Sequence, residues 1–515
     1  MRSVHTRLAA AAAVLVLGAV TASVAPSASA AATTAMAYDF NGDGYADLAV
    51  GVPGEDQGAT RDSGAVTVVY GSAEGLTGQG GQLWSQDSRG VPGKGETDDR
   101  FGTPASGDFN GDGFADLAVG APGERVGGLA AAGGVTVLYG SSHGLRSSGS
   151  RFFSQSTPGV PGDPDRNAQF GAALVAGDFN GDHRDDLAVG APRDDIGADD
   201  NDQGSVTVLL GSGSGLRTTG AQEWDTGSIL GRGQGLTGSA LDAGDIDGDG
   251  RDDLAVLGVD AATILLGAPK GLTSFGSQVW DATRSGIAAA LPKAGRVSSL
   301  ALGDFNGDHH ADLAVGSLGA NRSNDSADDC SSGFECDGAV AILPGTSNPV
   351  EPITAAGRQI LYPGAVSVNS TIDFGRTLAA GDLDGDGRDE LCAAAGNKGT
   401  ARLVEVVHFR AGPAIQADAS RSWEQEPGQV SGTFEQGDGF AETLQVAQLG
   451  RGSQADLAIG VPGEAVGSAA EAGRVVVLYG TPNGVTATGQ QTWTQNSPGS
   501  RGGAEAGDRF GTLGH

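Results

Sequence analysis

A chain of 515 residues with 63 acidic and 31 basic side chains carries a formal charge of −32. That charge argues against a nucleic-acid or anionic-membrane partner, because both require a basic patch. With 89 glycines and only 18% charged residues the composition also excludes a helical or coiled-coil protein, and no strict Gly-X-Y period suggests collagen.

In chain order the first element stands apart. Arg2 and Arg7 precede an apolar run from Leu8 to Val20, and Ala28-Ser29-Ala30 offers a small-residue cleavage site. Residues 1–30 therefore read as a secretory signal peptide cleaved near Ala30, leaving a protein secreted to the extracellular medium. No later stretch is apolar for long enough to span a bilayer, so no membrane insertion is expected. Three cysteines suit an oxidising compartment sparingly used. Cys330 and Cys336 lie close together in a polar segment and are expected to bridge, whereas Cys392 reads as a buried free thiol.

From Ala31 onward the chain repeats. The stretch Asp108-Phe-Asn-Gly-Asp-Gly-Phe-Ala-Asp116 has acidic or amide side chains at its positions 1, 3, 5 and 9 and glycine at 6. Alternate residues of a tight loop can aim oxygens inward while the carbonyl of position 7 adds another, which suits Ca²⁺. The flanks are short and strand-like, and the Glu expected at position 12 of an EF-hand is absent, so the loop belongs in a β-hairpin. Copies begin at Asp39, Asp108, Asp178, Asp245, Asp304 and Asp382, and a degenerate one at Gln448, where Gln448, Gly450 and Gly452 replace the acids.

Each period then runs in a fixed order. The loop leads into an apolar strand ending in Gly-Ala-Pro or a variant, such as Gly120-Ala-Pro122. A β-branched strand follows, such as Val66-Thr-Val-Val-Tyr70, and then a strand centred on an aromatic residue. All five tryptophans (Trp84, Trp224, Trp280, Trp423 and Trp493) fall at this last site, with Phe153 and Leu361 in the second and fifth periods. With one strand before the loop, a period is four strands. Seven such units predict an all-β, seven-bladed propeller spanning 31–515, with the aromatic site packing between blades. Asp508-Arg-Phe-Gly-Thr512 matches Asp99-Arg-Phe-Gly-Thr103, so the C-terminal segment is expected to dock beside the N-terminal strand and complete the first blade.

These motifs resemble the FG-GAP repeats of the integrin α N-terminal propeller. The FG pairs are Phe101-Gly102, Phe170-Gly171, Phe374-Gly375 and Phe510-Gly511, and Gly-Ala-Pro stands at Gly120–Pro122 and Gly190–Pro192. The repeat is similar, too, to that of the C-terminal propeller of glycosylphosphatidylinositol-specific phospholipase D and of many secreted bacterial proteins. The resemblance implies a calcium-stabilised propeller. It does not bring integrin signalling or the phospholipase's catalytic zinc domain, because the segments responsible are not in this sequence.

The expected calcium ligands, counting position 7 for its carbonyl, are Asp39, Asn41, Asp43, Tyr45 and Asp47 in the first loop. The second uses Asp108, Asn110, Asp112, Phe114 and Asp116; the third Asp178, Asn180, Asp182, Arg184 and Asp186. The fourth has Asp245, Asp247, Asp249, Arg251 and Asp253, and the fifth Asp304, Asn306, Asp308, His310 and Asp312. The sixth has Asp382, Asp384, Asp386, Arg388 and Glu390. The third and fifth put His183 and His309 at position 6, where a positive φ is required. Catalytic signals are poor: Gly140-Ser-Ser-His-Gly144 fits a G-x-S-x-G pattern on paper but sits at a hairpin turn. The expected function is a monomeric binding or adhesion module for an extracellular protein or carbohydrate. A propeller hydrolase, of phospholipase D or glycosidase type, and a lectin are the alternatives.

Overall fold

The computed structural model describes residues 35–196, 202–225, 238–258, 261–281, 296–318, 338–362, 373–396, 402–426 and 429–514. The signal segment, Cys330 and Cys336 with the insertion around them, and His515 lie outside these residues. Among the described residues every regular element is a β-strand, and no helix is long and apolar enough to cross a membrane.

The strands form seven antiparallel sheets in a ring, the seven-bladed propeller expected. The second blade is representative, with strands Thr103–Gly107, Asp116–Ala121, Gly134–Tyr139 and Arg146–Phe153 paired in that order. Six sheets have four strands; the first has three, Leu48–Val52, Ala65–Tyr70 and Thr77–Trp84. First strands of successive blades from the second to the seventh pack against one another and so lie nearest the axis. Burial follows position in the blade. Asp116–Ala121 and Gly134–Tyr139 are buried throughout, because neighbouring blades cover both faces, and their residues are correspondingly rich in Leu, Val, Ala and Gly. The outer strand Arg146–Phe153 is mostly open and carries Arg, Ser and Gly, as a soluble sheet edge should.

The aromatic site keeps one register in all seven blades. Trp84 pairs with Val66, Phe153 with Val135, Trp224 with Val206, Trp280 with Ala262, Leu361 with Val340, Trp423 with Val404 and Trp493 with Val475. Trp423 packs with Phe440, Leu444 and Val461 of the seventh blade, and Trp280 with Val297 and Leu300 of the fifth, so this side chain fills the interface with the next blade. A further cluster contains Trp493, Val477 and Phe510 together with Val50, Val66 and Leu138, and so joins the seventh, first and second blades.

The FG segments thread between blades. Phe101 donates its N–H to Ser63 O (3.0 Å) and Gly102 to Gly120 O (2.9 Å); Phe510 donates to Ala472 O (3.0 Å) and Gly511 to Gly51 O (3.2 Å). Thr512 accepts from Gly51 N–H at 2.7 Å, a single bridge in place of a fourth strand on the first sheet. The glycine of Gly-Ala-Pro lets two blades come close: a Cβ on Gly120 would stand 2.0 Å from Gly171 O.

On this side of the ring a second contact recurs. Gln86 Nε2 donates to Glu124, Gln155 Nε2 to Asp194 (2.8 Å), Gln425 Nε2 to Glu464 (2.8 Å) and Gln495 Nε2 to Glu55. Each glutamine follows the aromatic strand of one blade, and each acid follows Gly-Ala-Pro, or its variant, of the next. The bond from Gln495 to Glu55 therefore spans the seventh and first blades. Burial pushes Glu55 up to about 7, and the charges of Asp508 and Glu505 push the same way.

Gly120→Ala is expected to destabilise by about 1–3 kcal/mol, whereas Gly213→Ala, with open space at its Cβ, should fall within about 0.5 kcal/mol in a denaturant melt. The folded pKa of Glu55 lies above its unfolded value, so its stability contribution is complete at low pH and is lost as pH rises through about 7. Glu55→Gln should therefore raise the Tm at pH 8 and leave it nearly unchanged at pH 4.

Candidate metal centres

Each loop is wound by its own side chains. In the second, Asp108 at position 1 accepts the N–H groups of Gly111 (2.7 Å), Asp112 (3.1 Å) and Gly113 (2.9 Å). At position 5, Asp112 accepts from Phe114 N–H at 3.1 Å, and the corresponding bond recurs in all six acidic loops. The turn needs a positive φ at position 6, where Gly113 has 86°, His183 63° and His309 67°. His183 and His309 donate to Asp178 and Asp304 at 2.8 Å as the glycines do, so the third and fifth loops close in the same way.

The position-9 acid is buried and tied at both ends. Asp47 accepts from Phe40 N–H and from Gly71 N–H, each at 2.9 Å, the second being the glycine that follows the strand Ala65–Tyr70 of the same blade. Gly140, Gly211, Gly267 and Gly345 make that bond to Asp116, Asp186, Asp253 and Asp312 at 2.7–2.9 Å. Burial, reinforced by the carboxylates at positions 1 and 5, raises Asp47, Asp116 and Asp312 to about 8; in Asp253 the neighbours are Asp247 and Asp245, with the same result.

The loops are also joined to one another. The N–H of position 8 donates to the carbonyl of position 1 in the preceding blade: Ala115 to Asp39, Asp185 to Asp108, Asp252 to Asp178, Ala311 to Asp245, Asp389 to Asp304, Ala455 to Asp382 and Ala46 to Gln448, at 2.9–3.2 Å. That is one bond at every blade interface. Position-7 side chains reinforce it by lying over the position-4 glycine of the preceding loop. Phe114 covers Gly42, Arg184 covers Gly111, Arg251 covers Gly181, His310 covers Gly248 and Arg388 covers Gly307. The loop spacing points to position 7 only for its carbonyl; the side-chain interlock depends on how adjacent blades pack.

The donor set fits a hard cation. A carboxylate has about four lone-pair directions, and the backbone bonds above use two or three of them. Asp245, Asp247 and Asp253 bring one oxygen each within 4.8 Å of one another, as do Asp382, Asp384 and Asp386. Where position 3 is asparagine in the second, third and fifth loops, its Nδ2 turns instead to the position-9 acid: Asn110 to Asp116 (3.2 Å), Asn180 to Asp186 (2.9 Å) and Asn306 to Asp312 (3.1 Å). Asn306 Oδ1 is left buried without a partner, and a half-turn of the amide would present an oxygen to an ion. The seventh loop supports the same reading from the other side. With three acids gone, Arg451 at position 4 bonds Glu74 O (2.6 Å) and Gly489 O (2.6 Å) and stacks 4.2 Å from the Tyr479 ring, bringing a fixed positive charge. Its position-9 acid survives: Asp456 accepts from Leu449 N–H (2.9 Å) and Gly480 N–H (2.8 Å).

One functional candidate escaped the sequence reading. His408 Nδ1 lies 3.1 Å from Glu390 and 3.2 Å from Asp384, on the third strand of the sixth blade. Nothing local signals it, since the contact depends on strand pairing. Ser142 and His143 of the G-x-S-x-G pattern sit exposed on a hairpin turn closed by Gly144 N–H to Ser141 O (2.7 Å), as expected of a turn. Cys392 is a buried free thiol.

Comparison with known proteins agrees with the repeat architecture. The FG-GAP repeat family matches residues 31–69, 102–138, 170–209, 297–332 and 374–403. The chain carries FG-GAP repeats. It is 37% identical over 156 residues to phosphatidylinositol-glycan-specific phospholipase D of Rattus norvegicus and 34% identical over 160 residues to integrin alpha-PS5 of Drosophila melanogaster. Each match takes in 30% of this chain but only 17% and 14% of those proteins. Among solved structures, an Agrocybe aegerita lectin that recognises non-reducing terminal N-acetylglucosamine aligns over 93% of this chain and 97% of its own, at 14% identity and a TM-score of 0.47.

In these loops the position-9 acid acts as a structural tie even where the other acids are gone. Asp456→Ala should therefore cost about 1–3 kcal/mol by orphaning two buried N–H groups, with no change in the number of calcium ions bound by calorimetric titration.

Proposed function

We propose that this chain is a secreted, calcium-stabilised FG-GAP propeller of the bacterial type that serves as an extracellular binding or adhesion module for a protein or carbohydrate. The observation that carries the reading is the division of labour between the two faces. On one face, six loops with cation donor sets are hydrogen-bonded to one another around the ring. The other face presents the segments after Gly-Ala-Pro, and recognition on such scaffolds is usually built from loops held by a rigid frame. The two kinds of relative share a repeat with this chain while differing in name and in most of their length, which supports transfer of the scaffold and not of any one chemistry.

The ions would be held by the position 1, 3, 5 and 9 side chains, with the position-7 carbonyls of Tyr45, Phe114, Arg184, Arg251, His310 and Arg388. A bound cation supplies charge neutralisation among acids that burial and mutual repulsion disfavour. If free calcium stood at about ten times Kd, each site would add roughly 1.4 kcal/mol and six sites about 8 kcal/mol.

A carbohydrate ligand is favoured by one further feature. A cleft of about 320 Å³ between the sixth and seventh blades is lined by Glu426, Gln429, Ser431, Thr488 and Gln490, whose amides and hydroxyls suit sugar recognition.

Excess EDTA should lower the Tm by about ten degrees or more, on the order expected for several kcal/mol, and calcium should restore it. An unchanged melt would defeat the calcium reading. Glycan and extracellular-matrix arrays, read with and without calcium, test the binding function. Turnover of an ester, phosphodiester or glycoside that one carboxylate substitution abolishes would replace it with the hydrolase.

A further inference from the structure

Three positions change together in the sixth blade and in no other. The position-9 acid is Asp in the other six and Glu390 here. Strand register aligns His408 with Tyr70, Tyr139, Leu210, Leu266, Pro344 and Tyr479, and Phe409 with the glycine that follows each of them. In those six blades the glycine N–H is the donor to the position-9 carboxylate. In the sixth, Glu390 is longer by one methylene and meets the His408 ring instead, while its other oxygen keeps the N–H of Leu383 at 2.9 Å.

The ring nitrogen faces more acceptors than it can serve. Glu390 Oε1 lies 3.1 Å and Asp384 Oδ2 3.2 Å from the same Nδ1, and all three ligand atoms lie within 4.8 Å of one another. An imidazole, neutral or charged, has at most one proton on Nδ1, so one carboxylate is always left unserved. Atoms that share a metal at about 2.0–2.2 Å stand roughly 2.8–3.6 Å apart in octahedral or tetrahedral geometry, a span that includes both distances to Nδ1. The site is also preformed. Glu390 is buried and His408 is mostly so. A Cβ on Gly484 of the seventh blade would come within 3.0 Å of ring atoms Cε1 and Nε2, so the neighbouring turn confines the imidazole.

We propose that Asp384, Glu390 and His408 Nδ1 form a site for a borderline divalent cation of the zinc class, so that the sixth loop differs in metal preference from the five all-oxygen loops. Calcium takes oxygen ligands, whereas imidazole suits zinc, cobalt and nickel. The inference rests on the reading of the sixth loop as a cation site.

Chelator-stripped full-length protein is titrated with Co²⁺, then Zn²⁺, in the presence of millimolar-range Ca²⁺ (on the order of extracellular-module Kd values), with calcium counted in parallel. The native chain is expected to hold one Co²⁺ per chain with a visible ligand-field band that Zn²⁺ displaces and Ca²⁺ does not. His408→Tyr, which installs the residue of the first, second and seventh blades, should weaken Co²⁺ binding by at least about tenfold and leave calcium uptake by the other loops unchanged. Glu390→Asp provides a second variant that keeps the charge and draws the carboxylate back from the ring; it too should weaken Co²⁺. Calcium uptake without calcium-resistant Co²⁺ in the native chain overturns this inference alone. Loss of both overturns the loop reading with it. Co²⁺ retained undiminished in His408→Tyr places it elsewhere and overturns the inference.

Discussion

The structure depends on a carboxylate buried at the ninth position of a nine-residue loop. Asp47 holds the start of its own loop and the end of the strand Ala65–Tyr70, and five of its equivalents make the same tie to the strand end, so the loop and the sheet are locked by one side chain. The neighbouring position, the eighth, then donates to the loop of the preceding blade. Two adjacent residues therefore carry the order of a blade and its attachment to the next. The arrangement has a cost. A buried carboxylate among other carboxylates is poorly solvated, which is why these acids are pushed toward neutral pH or above.

Three blades surround that carboxylate differently. The fourth, representative of the acidic loops, gathers Asp245, Asp247 and Asp253 into a set suited to a hard ion. The seventh has replaced its other acids and carries Arg451, whose guanidinium supplies positive charge close to Asp456. The sixth turns an imidazole toward Glu390 and Asp384. All three keep the bond from position 8 and the tie from position 9 to the start of the loop, while in the sixth the tie to the third strand passes to the His408 ring.

The opposite face is held differently, by Gly-Ala-Pro glycines against neighbouring carbonyls and by glutamine–carboxylate pairs such as Gln155 with Asp194. These contacts set the frame on which the longer segments stand. The pairs were not read from the sequence, although glutamine follows the aromatic strand in four of the periods. Their meaning lies in a contact 38 to 440 residues away, which no local pattern reports.

What the sequence determined by itself was everything governed by short-range periodicity. The number of blades, the four-strand unit, the loop positions and the shared site of the five tryptophans, Phe153 and Leu361 follow from residues a few positions apart, because strand pairing in a meander is local. The αL turn at His183 and His309 was legible for the same reason. Tertiary structure alone decided the rest: the backbone tie made by Asp456, the reach of Phe114 or Arg388 over the previous loop, and the convergence of His408 on Glu390 and Asp384. Each of those is a contact between different strands or blades, and its partner is chosen by how the sheets pack around the ring.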